Sequence, residues 1–118
     1  MSLSYANFDV ILVDNGSTDD SVSQICGAFP NVILLETGEN LGYAGGNNVG
    51  IRYALERGAE FICILNNDIV VESGFLEPLL AVLQSDSSVG VATPLIADMV
   101  DPNHVWTLGA ALNDQTAT

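Results

Sequence analysis

An α/β fold with a mostly parallel sheet flanked by helices is the class this sequence predicts, on three observations. Apolar, β-branched runs alternate with stretches of helical periodicity, the order that builds parallel sheets. The runs are near-continuous rather than alternating, as in a sheet covered on both faces. Two of them end in polar clusters, Asp14-Asn15 and Asn66-Asn67-Asp68. In open α/β sheets ligands sit at the C-terminal ends of the strands, so two separate signals converge on one rim.

The elements follow in order. Residues 8–13 read as a strand that stops at Asp14-Asn15-Gly16-Ser17. Ser17 with Asp20 three residues on resembles a capping box, which predicts a helix from near Asp19 that stops before Pro30. Residues 32–35 are the next strand. Residues 36–46 are polar and Gly-rich and read as a loop. A helix is expected over residues 47–57, with Ile51, Ala54 and Leu55 on one buried face and Gly58 as its stop. Residues 61–65 predict a third strand, and residues 69–71 continue its path after the polar break. Ser73 can cap a helix through about Leu83, with Pro78 tolerable only in its first turn. Residues 89–93 predict a fourth strand ended by Pro94, and residues 105–108 a fifth.

The chain has 118 residues, 48 % of them hydrophobic and 14 % charged, enough for one globular domain with a core. Fifteen acids face two bases, Arg52 and Arg57, a formal charge of −13. That excludes nucleic-acid binding by phosphate neutralisation and disfavours an anionic membrane surface. An anionic ligand would need backbone N–H groups or a divalent cation. No apolar run reaches the roughly 18 residues of a membrane span, and no secretory signal is visible. Cys26 and Cys63 match no metal spacing and read as buried thiols in a reducing compartment.

"VILVDNGSTDDS", "NLGYAGGNNVGIRYAL" and "FICILNND" occur here in that order. Together they resemble the nucleotide-sugar glycosyltransferases of GT-A type, most closely the rhamnosyltransferase-like branch of inverting family 2, over residues 8–109. The resemblance implies a Rossmann-like sheet. It implies that Asp14 and Asn15 hold the base and ribose of a nucleotide-diphospho-sugar, and that Asn40, Gly42 and Asn48 belong to the same donor site. The family's metal motif is Asp-x-Asp, and Asn66-Asn67-Asp68 matches its position with Asn in place of the first acid. By resemblance Asp68 is the ligand of Mg²⁺ or Mn²⁺, and Asn66 a ribose or water partner. Many members carry Arg where this chain has Asn47.

The chemistry can also be argued from charge. At about 5 Å and an effective dielectric near 20, one carboxylate repels one phosphate charge by roughly 3 kcal/mol. A divalent cation between them reverses that sign and stabilises a departing diphosphate. Taken alone, Asn66-Asn67-Asp68 also reads as a turn whose side chains bond their own backbone, and Asp14 as a cap on the loop after it. Gly45 and Gly46 can either offer N–H groups to a phosphate or simply permit close packing.

Against the family pattern, residues 1–118 are expected to be a single partial domain, the nucleotide-sugar-binding half. The family's first strand and its acceptor and general-base part have no match here. The expectation is a fragment inactive alone, cut from an enzyme that moves a sugar to a saccharide or lipid-linked acceptor. An uncovered edge beside residues 8–13 would recruit other chains, which predicts a homo-oligomer through that edge. The implied location is cytoplasmic, or peripheral to the inner face of a membrane in the longer protein. The rival class is a non-catalytic nucleotide-binding or interaction module with the same fold, whose binding would not depend on a cation. A nucleotidyltransferase fits poorly, since it needs basic residues near its start.

Overall fold

A computed structural model describes residues 3–101 and 104–107. They form two compact units, residues 7–69 in one and the chain before and after them in the other.

The unit of residues 7–69 begins with β1 (Ile11–Asp14), α1 (Ser21–Ala28) and β2 (Ile33–Glu36). β1 and β2 pair in parallel, Ile11 opposite Ile33 through Asp14 opposite Glu36. This is the predicted strand–helix–strand order, with β1 two residues shorter than its apolar run and β2 shifted one residue along its own. The predicted capping box does not form. Asp19 does that work, accepting hydrogen bonds from the backbone N–H and the hydroxyl of Ser21. Those two donors hold the Asp19 carboxyl below its ordinary pKa, the hydroxyl contributing most.

The next helix, α2, spans Gly42–Glu56 and starts five residues before the predicted boundary. Its glycines are the reason. A Cβ at Gly50 would lie 3.0 Å from Val13 Cγ2 and 3.9 Å from Ile11 Cγ2, and one at Gly46 would lie 3.2 Å from Asn15 Cγ. Four helical residues advance about 6 Å and two strand residues about 6.6 Å. The bare helix positions 46 and 50 therefore match strand positions 15 and 13, and α2 lies against β1, running opposite to it. Glycine here serves close approach rather than a loop. Strand alternation then turns Ile11, Val13 and Asn15 toward α2, and Leu12 and Asp14 toward the other face.

Burial is lighter than predicted. Ala54 and Gly46 are buried in α2, but Leu55 is 58 % exposed. The β1 residues are half-buried, so the sheet is not the doubly covered one that its apolar runs suggest. Cys26 and Cys63 are exposed, contrary to the expectation of buried thiols. Local desolvation still raises the Cys63 thiol pKa. Residues 61–65 form no strand ladder among the described residues. Apolar composition predicts burial, while a strand also requires a pairing partner. Among the described residues β1 likewise pairs along one edge only.

The other unit contains α3 (Leu76–Ser85), β3 (Ile96–Ala97) and β4 (Val105–Thr107). α3 starts later than Ser73 would have it, and Pro78 falls in its first turn, where its missing N–H costs nothing. The Ser73 carbonyl instead accepts hydrogen bonds from the backbone N–H and the hydroxyl of Ser4. Residues 89–93 form no strand among the described residues. β3 lies after Pro94 instead and pairs antiparallel with β4, Ala97 opposite Val105. The predicted fifth strand is β4, and its last expected residue, Leu108, lies outside the described residues.

Candidate functional site

The end of β1 carries Asp14 and Asn15 to opposite sides of one rim. On the α1 side, both oxygens of Asp14 accept the Ser17 N–H, at 3.3 and 3.2 Å. The reversal after Asn15 is made by Gly16 at φ +86°, where a Cβ would fall 2.7 Å from the Glu39 carbonyl carbon. Only glycine tolerates both the backbone angle and that approach. Asp14 opens on a cleft of about 220 Å³, lined on its apolar side by Leu12, Val22 and Ile25 and on its polar side by Asn15, Ser21 and Asn67. Small-molecule sites run from about 300 Å³ upward, so this cleft takes one ring of a ligand rather than a whole nucleotide.

On the α2 side, Asn15 hydrogen-bonds to residues 40–42. Its Nδ2 donates to Asn40 Oδ1 at 3.2 Å and to the Gly42 carbonyl at 3.1 Å. Its Oδ1 accepts the Leu41 N–H at 3.0 Å. Asn40 Oδ1 also accepts the Gly42 N–H at 2.9 Å. Thr37 joins the group, its one hydroxyl hydrogen best placed for the Glu39 carbonyl at 2.6 Å. Asn15, Asn40 and Gly42, picked out separately in the sequence, are thus one hydrogen-bonded cluster. Asn48 lies on the exposed side of α2.

The turn at Asn67-Asp68 brings the third motif to the same rim. Asn67 lines the cleft with Asp14, and Asn66 Oδ1 accepts the Tyr43 hydroxyl at 3.3 Å. Asp68 is exposed and makes no hydrogen bond or ion pair among the described residues. Tyr43 and Asn67 were not picked out from sequence. Both sit inside the quoted motifs, but nothing in a linear pattern says that Tyr43 reaches Asn66.

Among the described residues no basic side chain lines the cleft. Arg52 lies in α2, and Arg57, at its C-terminal cap, stacks its guanidinium over the Tyr53 ring at 4.7 Å. The described residues hold no cluster of three His, Cys, Asp or Glu side chains that would cage a metal. What the turn offers is the Asp68 carboxylate, next in sequence to the Asn66 and Asn67 amides. That donor set is all oxygen and incomplete. It suits a hard cation that keeps waters and takes its remaining ligands from a bound diphosphate.

Comparison with known proteins places this geometry. The glycosyl transferase family 2 model matches residues 1–113. A low-salt glycan biosynthesis hexosyltransferase of Haloferax volcanii is 33 % identical over 89 residues, 75 % of this chain and 28 % of its own length. A dTDP-rhamnosyl transferase of Shigella flexneri is 31 % identical over 100 residues, 85 % of this chain and 33 % of its own. An N-acetylglucosaminyl-diphospho-decaprenol L-rhamnosyltransferase of Mycobacterium tuberculosis is 33 % identical over 97 residues, 75 % of this chain and 32 % of its own. The chain therefore spans about a third of the length of these curated relatives. No solved structure gives a significant match. With its parallel β1–α1–β2 unit and its three motifs gathered at one strand end, the chain belongs to glycosyl transferase family 2, has that family's Rossmann-like α/β fold of GT-A type, and is rhamnosyltransferase-like within it.

Proposed function

We propose that this rim is the donor site of a glycosyltransferase, which binds a nucleotide-diphospho-sugar and passes the sugar, with inversion, to a saccharide or lipid-linked acceptor. The observation that carries the reading is the meeting of Asp14 and Asn67 at one cleft, with the start of α2 tied to Asn15 on the same strand end and to Asn66 through Tyr43. In this reading the cleft takes the ribose or base. Asp14 keeps acceptor capacity beyond the Ser17 N–H and receives a ligand hydroxyl or ring N–H. The Asn66 amide, its oxygen facing Tyr43, turns its NH₂ toward ligand oxygens. Asn48, exposed on α2, contributes to the same site.

Asp68 would hold a Mg²⁺ or Mn²⁺ together with the diphosphate. When bound, the cation neutralises the diphosphate and stabilises the departing nucleotide. The chain's −13 charge and its arginine-free cleft leave backbone N–H groups or a cation to offset an anionic ligand, and in this reading the cation does so. The names of the relatives support the sugar chemistry: two of the three described above are rhamnosyltransferases, and one has a decaprenol-linked acceptor in its name. A cytoplasmic location, where nucleotide sugars are made, belongs to the same proposal.

Calorimetry tests it. The chain is titrated with UDP, dTDP and GDP, each with Mn²⁺ and again with chelator. The expected result is binding of at least one nucleotide that needs the cation, with the need lost in Asp68→Ala. Affinity that is equal with and without cation identifies a non-catalytic nucleotide-binding module instead. No binding of any nucleotide rejects the rim as a donor site.

A further inference from the structure

We propose that Asn15 is a positioning residue, whose amide fixes residues 37–42 and the start of α2 in place rather than donating a hydrogen bond to the nucleotide. The inference rests on the rim being the donor site, but it concerns what holds the rim in shape.

Hydrogen-bond capacity makes the argument. An amide side chain has two N–H donors and one carbonyl oxygen. Both donors of Asn15 are used, on Asn40 Oδ1 and the Gly42 carbonyl, and the oxygen accepts the Leu41 N–H. No donor remains for a ligand. The orientation is also fixed. A flipped amide would set its oxygen against two acceptors and its NH₂ against the Leu41 N–H. A carboxylate at this position meets the same conflict, because it accepts only. Position 15 therefore calls for Asn, whereas its neighbour Asp14, which receives the Ser17 N–H, calls for an acceptor.

The packing points the same way. α2 has no side-chain cap of its own at Leu41, so its first turn depends on neighbours. Asn15 engages three consecutive residues there, 40, 41 and 42, from 25 to 27 positions away in sequence. Its other side lies against Gly46, where a Cβ would come within 3.2 Å of both Cγ and Nδ2. That is tighter than ordinary contact. An amide held by three hydrogen bonds cannot move aside without loosening them. Tyr43, the next residue of α2, reaches Asn66, so the placement of the first turn is passed on to the third motif.

Two variants and one isostere test this by amide hydrogen exchange, read residue by residue by NMR on the nucleotide-free chain. Asn15→Ala is expected to speed exchange at Leu41 and Gly42 by about tenfold, the loss of roughly one net hydrogen bond. The ladder amide of Ile33 and the α1 amide of Gln24 should hold their rates. Gly46→Ala, which keeps the Asn15 amide but crowds it, is expected to speed the same two amides. Asn15→Asp, equal in size but lacking donors, is expected not to restore them. Nucleotide affinity with Mn²⁺ should fall in all three variants in step with the exchange rates. Unchanged exchange at Leu41 and Gly42 in Asn15→Ala, or wild-type rates in Asn15→Asp, overturns the proposal. If affinity falls in Asn15→Ala while exchange stays unchanged, Asn15 is a direct ligand. A chain that binds no nucleotide would sink the donor-site reading, yet the exchange rates would still decide the role of Asn15.

Discussion

Two regions of this molecule are built from different kinds of contact. In residues 7–69 the side-chain hydrogen bonds around Asn15 and Asn66 join residues 22 to 27 apart in sequence. In residues 70–107 most side-chain bonds close small turns, such as Asp86 to Ser88 and Asp98 to Val100. The exception is Ser4, whose hydroxyl reaches the Ser73 carbonyl and Glu77. The second region also carries the most exposed large apolar side chains, Val100 at 93 % and Val91 at 85 %. Local turns can form in any chain. Long-range polar pairs exist only once the fold brings their ends together. The difference teaches where shape is specified, and with it the proposed ligand site: at the rim of β1.

The comparison can be broken first at Gly16. Gly16→Ala forces a side chain into a left-handed backbone and against the Glu39 main chain. A loss of about 3 kcal/mol is expected, read as a lowered denaturation midpoint. A midpoint within error of wild type would show that the reversal after Asn15 is loosely made. Next in size is Asp68→Ala, which should cost about a hundredfold in Mn²⁺-supported nucleotide affinity, or roughly 2.7 kcal/mol, with little change in stability. Tyr43→Phe should weaken nucleotide binding by no more than about threefold, since its bond to Asn66 is long and exposed. At the small end, Val100→Ser should change stability by less than about 0.5 kcal/mol. A larger loss there would mean that the second region is better packed than its surface suggests.

Acid sharpens the comparison because both regions use one device. Asp19 and Asp86 are each held below the ordinary carboxyl range, by the hydroxyl and then the backbone N–H of Ser21 and Ser88 respectively. A depressed carboxyl stabilises the fold above its unfolded pKa, and that contribution fades as pH falls through the lower folded value. Below about pH 4 the Ser21 and Ser88 amide resonances should therefore shift together, reporting the loss of both turns. Cys63 gives a neighbouring check. Its raised thiol pKa means less thiolate, so alkylation at pH 8.5 should be slower than for an unstructured cysteine peptide.

The α/β class, β1, β2, α1 and α3 were legible because apolar period and turn residues are local signals. The early start of α2 was not, since Gly42, Gly45 and Gly46 read as a loop until β1 and Leu41 are seen beside them. Residues 61–65 and 89–93 carry strand composition without a ladder among the described residues, because pairing depends on a partner that composition does not name. Ile96 and Ala97 were hidden behind Pro94. At the rim, Asp14, Asn66 and Asp68 stood out through motif and charge. The engagement of Asn15 could not be read, because an amide that binds a ligand and one that braces a loop are the same letter.

Paramagnetic broadening by Mn²⁺ tests the central claim most directly. In a labelled chain saturated with a nucleoside diphosphate, the account predicts that trace Mn²⁺ broadens the amides of residues 14–17 and 66–68 first, and that Asp68→Ala abolishes the effect. Broadening centred instead on Asp98 and Asp101, or on Asp19 and Asp20, or left unchanged in Asp68→Ala, would contradict it.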